Sequence, residues 1–138
     1  MRENGASHAE KVVISIVDDD ESVRKALKRL IKSIGLNVEA FASAEDFLTF
    51  TTSHDAACLV LDLRLPGMSG LELQAKLHSA NRRIPIVFIS AQGDEQARAQ
   101  ALAAGAIDFL QKPFSEQALF AAINSALFIQ NRADSEIY

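Results

Sequence analysis

The chain has 138 residues, 49% of them hydrophobic and 23% charged, with a net charge of −4, a composition that builds one core of ordinary size and excludes a disordered chain. Contacts to a phosphate backbone need clustered Lys and Arg, so the acidic balance speaks against direct nucleic-acid binding by this chain. No run reaches the roughly 18 apolar residues of a membrane span, and the polar N-terminus lacks a signal-peptide core, which reads as a cytoplasmic protein without membrane contact.

Residues 1–10, "MRENGASHAE", are polar and aperiodic and read as a disordered leader. An aliphatic first strand at 11–17 runs into Asp18, Asp19 and Asp20. A helix follows, with Val23, Leu27, Leu30, Ile31 and Ile34 on one face and Gly35 as its stop. A second strand is expected at 37–41, and Ser43 opens a short second helix. The third strand, 56–61, contains Cys58, the single cysteine. It has no partner within the chain and reads as a buried, reduced thiol. Ser69 and Glu72 have the spacing of a capping box and open the third helix. The fourth strand, 84–89, is again almost wholly aliphatic. The fourth helix, 94–104, is rich in alanine and stops at Gly105. A fifth strand at 106–110 and a fifth helix from Ser115 complete the series, with Leu119, Ala122, Ile123, Ala126 and Leu127 on the helix's inner stripe.

Strands that alternate with helices form repeated βα units, whose right-handed crossovers require a parallel, doubly wound α/β sheet with helices on both faces. In such sheets ligands bind beyond the carboxyl ends of the strands, at the point where the winding reverses. Those ends carry Asp18 to Asp20 after the first strand, Asp62 after the third, Ser90 after the fourth and Lys112 after the fifth. Singly, each has an ordinary use. Asp20 suits a helix N-cap, Asp62 a solvated turn, Ser90 a loop and Lys112 a surface. Together they bring mutually repelling carboxylates to one rim, a conflict that a hard divalent cation with oxygen ligands relieves. A lysine opposite would pair with an anion that the metal does not fully neutralise.

The runs "VDDD", "LDLRLPGMSG", "ISA" and "KPF" occur in this order, with 28 residues from Asp62 to Ser90 and 50 from Asp62 to Lys112. In these motifs the chain resembles the receiver domains of two-component response regulators, the CheY-like superfamily. "LRLPGMSG" and "QGD" are similar to the FixJ/NodW-type members. The resemblance spans 11–132, leaving 133–138 as a C-terminal tail, and implies a five-stranded sheet of flavodoxin-like order 2-1-3-4-5. It implies Asp62 as phosphoacceptor, Asp18 and Asp19 as the acidic pair binding Mg²⁺ (or Mn²⁺), and the Arg64 backbone carbonyl as a further ligand. Ser90 becomes the switch hydroxyl, Lys112 the phosphoryl-binding lysine that acts with Asp62 in catalysis, and Phe109 the switch aromatic. It also implies a cis Lys112-Pro113 bond. Such a chain is not a conventional enzyme but assists its own phosphorylation and slow autodephosphorylation. A sensor histidine kinase is the implied donor. A hydrogen bond from Ser90 to the phosphoryl group, worth about 1.5–3 kcal/mol because its acceptor is charged, would draw in the loop after the fourth strand, with Phe109 following. The responding face would be helix four, strand five and helix five, presented to a downstream partner or a second copy of the chain. Phe120 and Phe128 stand there either as a docking ridge or as packing.

Three alternatives share features of this pattern. A flavodoxin-like nucleotide binder needs a Gly/Ser/Thr cradle where this chain has three acids. A haloacid-dehalogenase-type phosphatase would use Asp18 and Asp20 as its acid pair, but the hydroxyl-bearing residues and room for a cap domain are missing. A pseudo-receiver acting as a plain interaction module would not keep every acceptor residue. The residues alone leave open the kinase, the target and whether an output domain follows in a longer protein.

Overall fold

The computed structural model describes residues 12–50, 55–91 and 94–135. The leader at 1–10, Gln92 and Gly93 of the "QGD" run, and 136–138 of the expected tail lie outside the described residues. Strands β1 (Val13–Val17), β2 (Asn37–Phe41), β3 (Cys58–Asp62), β4 (Ile86–Ser90) and β5 (Asp108–Gln111) alternate with helices α1 (Glu21–Ser33), α2 (Ala44–Thr49), α3 (Gly70–Ser79), α4 (Glu95–Ala103) and α5 (Glu116–Ser135). Every strand pairing is parallel, in the order β2-β1-β3-β4-β5. Among the described residues no helix is long and apolar enough to cross a membrane.

Alternation along the strands splits the core into two layers. Ile14, Ile16, Cys58, Val60, Val87 and Ile89 pack with Leu27 and Ile31 of α1 and with Leu119 and Ile123 of α5. On the other face, Val17, Leu59, Leu61 and Phe88 pack with Phe47 of α2, Leu73 and Leu77 of α3 and Ala101 of α4. β3 and β4 are buried along their whole length, which is why their sequences show no polar alternation. Burial pushes the Cys58 thiol up to about 12, so it stays protonated and inert, as expected of a core thiol.

Local chemistry starts and stops the helices. Asp20 caps α1 by accepting from the N–H groups of Ser22 (2.8 Å) and Val23 (3.4 Å). Ser69 and Glu72 form the reciprocal capping box of α3, and Ser43 and Ser115 accept from the N–H groups of Asp46 and Ala118 at 3.0 Å. At the other end of α1, Gly35 (φ 87°) donates to the Lys32 carbonyl and Leu36 to that of Ile31, a Schellman closure. Gly105 closes α4 in the same way. Asn81, at φ 59°, closes α3, a stop that sequence reading did not mark.

Several boundaries differ from expectation. Regular pairing in β4 begins at Ile86 and extends to Ser90, since Pro85 has no N–H to donate. β5 begins at Asp108 rather than at 106: the Ala106 N–H is spent on the Ala101 carbonyl in closing α4, and Ile107 only leads into the strand, its N–H donating to the Ile86 carbonyl. β3 starts two residues late and includes Asp62. Residues 133–135, placed in the tail, continue α5. Ile34 does not join the buried stripe of α1. It is the C-cap residue, 40% exposed, where the chain turns off the helix axis. Phe120 is partly buried against the core, whereas Phe128 is 61% exposed beside exposed Ile129.

Candidate functional site

Strand register assembles the rim. Val17 pairs with Leu61, Asp62 with Ile89, and Ser90 with Gln111. Parallel pairing thus sets Asp18 level with Asp62, Ser90 one residue step beyond them and Lys112 two steps beyond along the strand direction. Phe109 is half-buried one strand further out, its ring 6.0 Å from that of Phe88. The Lys112-Pro113 peptide bond is cis, as the motif implied.

Asp18 is fully buried, and Asp19 beside it is exposed. Lys112 Nζ lies 3.1 Å from Asp18 Oδ2 and 3.5 Å from Asp62 Oδ2. Asp18 Oδ1 accepts from the Asp20 N–H at 2.9 Å, and the Asp18 carbonyl accepts from Arg24 Nη1 at 2.9 Å. These contacts hold the first carboxylate inward while Asp20 is occupied as a cap. The phosphatase alternative loses its acid pair by the same arrangement, since the Asp20 carboxylate is committed to α1.

Burial, then the neighbouring Asp18 charge, push the Asp62 carboxyl up to about 6; Lys112 and the Arg64 N–H offset only part of this. Burial works against the Lys112 ammonium, but its hydrogen bond to Asp18 and the charges of Asp62 and Asp18 outweigh it and raise its pKa. Asp18, Asp19 and Asp62 each place a carboxylate oxygen within 4.8 Å of the other two. With one ammonium against three carboxylates the pocket remains strongly negative. An all-oxygen anionic donor set of this kind fits a hard divalent cation.

Gly70 sets the approach of α3 to this pocket. Its N–H donates to the Leu63 carbonyl at 3.0 Å, and a Cβ there would lie 2.5 Å from the Asp62 carbonyl oxygen. Only glycine lets the helix come so close. Sequence reading used Gly70 merely as a spacer in the capping box, although "GMSG" carried both it and Gly67, whose φ is 75°. Glu45 ties the same loop from α2, its carboxylate accepting from the Met68 N–H at 2.8 Å.

Two more residues escaped sequence reading. Arg64 was considered only for its carbonyl, and Asp94 only as a helix opener. The Asp94 side chain is 3% exposed and accepts hydrogen bonds from both Ser90 Oγ and the Arg64 guanidinium. Those contacts, Arg64 first, hold the Asp94 carboxyl below its ordinary range. The four-residue spacing from Ser90 to Asp94 was the available signal.

Comparison with known proteins agrees with this geometry. The model of the response regulator receiver domain matches residues 14–124. Response regulator protein TodT of Pseudomonas putida is 49% identical over 115 residues, covering 83% of this chain and 51% of that protein. Nodulation protein W of Bradyrhizobium diazoefficiens is 46% identical over 116 residues, covering 84% and 51%. The solved structure of FixJ-N superposes with a TM-score of 0.79 at 39% identity, over 85% of this chain and 94% of that one. The chain spans about half the length of these two curated relatives. Fold, rim and relatives agree: the chain belongs to the response regulator receiver domain family, with NodW and FixJ regulators among its homologues.

Proposed function

We propose that the chain is the phosphoacceptor of a two-component pathway, with Asp62 taking a phosphoryl group from a sensor histidine kinase in the cytoplasm. The observation that carries this reading is one carboxylate, Asp62, set among two further acids and a lysine at the reversal point of the sheet. An ionised Asp62 oxygen would attack phosphorus in line, forming the acyl-phosphate O–P bond as the P–N bond to the donor imidazole breaks. Positioning and charge neutralisation are most of what such a transfer requires. Lys112 would meet the equatorial oxygens from one side, and its contact with Asp62 means it needs little rearrangement. Asp18, Asp19, Asp62 and the Arg64 carbonyl would hold Mg²⁺, or Mn²⁺ in its place; the bound cation would supply the positive charge that Lys112 alone cannot. Asp62 and Lys112 then serve the chain's own phosphorylation and slow autodephosphorylation, without turnover of a separate substrate.

Ser90 and Phe109 would report the phosphoryl state to α4, β5 and α5. α4 is held lightly, with only Ala101 fully buried, so its displacement disturbs little packing. The face is the proposed contact for a target or a second copy of the chain. Transfer of label from a phosphorylated histidine kinase tests the reading. Asp62→Asn keeps the shape without the nucleophile and should abolish labelling; label that persists on this variant would assign the acceptor elsewhere.

A further inference from the structure

The Ser90 hydroxyl is already committed. Its single proton has two acceptors within reach, the Ala91 carbonyl at 3.1 Å and the charged Asp94 Oδ2. The ionised acceptor is the stronger of the two. Ser90 is fully buried and Asp94 nearly so, so water does not compete for this contact. Arg64 closes over the same carboxylate, with Nε 3.3 Å from Oδ2 and Nη2 on Oδ1. Asp94 occupies the N-cap position of α4 yet makes no side-chain capping bond there. A residue type suited to capping has been turned away from the helix towards Ser90 and Arg64.

We propose that Asp94 is a latch for the unphosphorylated state, a positioning residue that acts through Ser90. The inference rests on the phosphoacceptor reading of Asp62. In the resting protein Asp94 holds the hydroxyl that the phosphoryl group needs, together with the Arg64 side chain that reaches over from the loop after β3. Phosphorylation therefore exchanges one charged acceptor of Ser90 for another and does not add a bond to a free hydroxyl. The resting state is favoured by the bond that must break. Once Ser90 leaves, the Asp94 carboxylate can turn back to the N–H groups of the first turn of α4, which have no partner within a helix, and this couples the exchange to the helix of the responding face.

Equilibrium binding of beryllofluoride in the presence of Mg²⁺ tests the latch with the intact chain. Asp94→Ala frees Ser90, and the loss of one charge-assisted bond from the resting state should tighten beryllofluoride about tenfold. The same substitution in a Ser90→Ala background should change affinity by about twofold at most, because a coupled pair loses its interaction only once. A merely structural role for Asp94 would loosen the site and weaken binding in both backgrounds. Asp94→Asn keeps size and an acceptor oxygen while removing the charge. It should show a smaller gain, and it decides the question should the alanine variant not fold. Equal affinity with and without the Asp94 carboxylate, or the same gain in both backgrounds, overturns the latch alone. Failure of the unmodified chain to bind beryllofluoride overturns the phosphoacceptor reading and the latch with it.

Discussion

Asp62 is held in a form that folding alone does not favour. Its carboxyl is raised from 3.8 to about 6, first by burial and then by Asp18. For a group raised on folding, the stabilising contribution is complete below the unfolded value and is lost as pH rises through the folded one. Without divalent metal, ionised Asp62 should cost on the order of 2 kcal/mol at neutral pH, less than the full shift because water reaches the rim. Asp62→Asn removes this cost. Chemical denaturation in chelator should find the variant more stable than the unmodified chain above pH 6, with the advantage shrinking between pH 6 and 4 and absent below. An advantage independent of pH would place its origin outside this carboxyl.

At the scale of elements, the contact between α3 and β3 is the most exacting. The backbone at Gly70 stands against the backbone of Asp62 and Leu63, with the Phe88 ring 3.1 Å from where a Cβ would be. None of these neighbours is a flexible side-chain end. Gly70→Ala should therefore cost about 1–3 kcal/mol by overpacking and should weaken Mg²⁺ binding through the displaced acceptor. Thermal unfolding and a Mg²⁺ titration on the same sample check both. A stable variant with unchanged metal affinity would mean that α3 can retreat without moving Asp62. Gly35 has open space around it, so substitution there reports backbone strain at φ 87° rather than crowding. Helices α1 and α4 differ in another respect. α1 buries Leu27 and Ile31, whereas α4 buries only Ala101, so its hold on the sheet is weaker and its amides should exchange faster.

For the whole molecule, the proposed metal binding would be linked to folding, because the acidic cluster exists only in the folded sheet. Mg²⁺ bound there as proposed, at about ten times its Kd, would contribute about 1.4 kcal/mol by mass action, a rise of about 5 °C for a chain of this size. Two neighbouring substitutions separate metal binding from capping. Asp19→Ala should abolish the Mg²⁺-dependent rise with little change in the metal-free melting temperature. Asp20→Ala should lower the metal-free melting temperature, since the cap is lost, and keep the full rise. Scanning calorimetry with Mg²⁺ and with chelator distinguishes them. Equal rises in the two variants would overturn this division of labour between adjacent acids.

Read alone, the chain determined the alternation of strands and helices, the parallel sheet, the buried Cys58 and most helix caps. These depend on periodicity and on side chains that act within a few residues of themselves. Asp20 capping α1 and the Ser69–Glu72 box belong to this class. The set of rim residues was also legible, because parallel winding sends every strand end to one edge. Tertiary structure decided the rest. Ile34 leaves the core because the chain turns at the end of α1, a matter of direction that a helical repeat does not encode. Pro85 and the closure of α4 shift two strand boundaries by consuming or removing single N–H groups. Gly70 is required by a backbone that approaches from another strand. Asp94 looked like a helix opener because its near neighbours in the chain are a helix, yet its carboxylate is claimed by Ser90 and by Arg64, thirty positions away. Short-range bonds are written in spacing; long-range ones exist only once the sheet has brought its edges together.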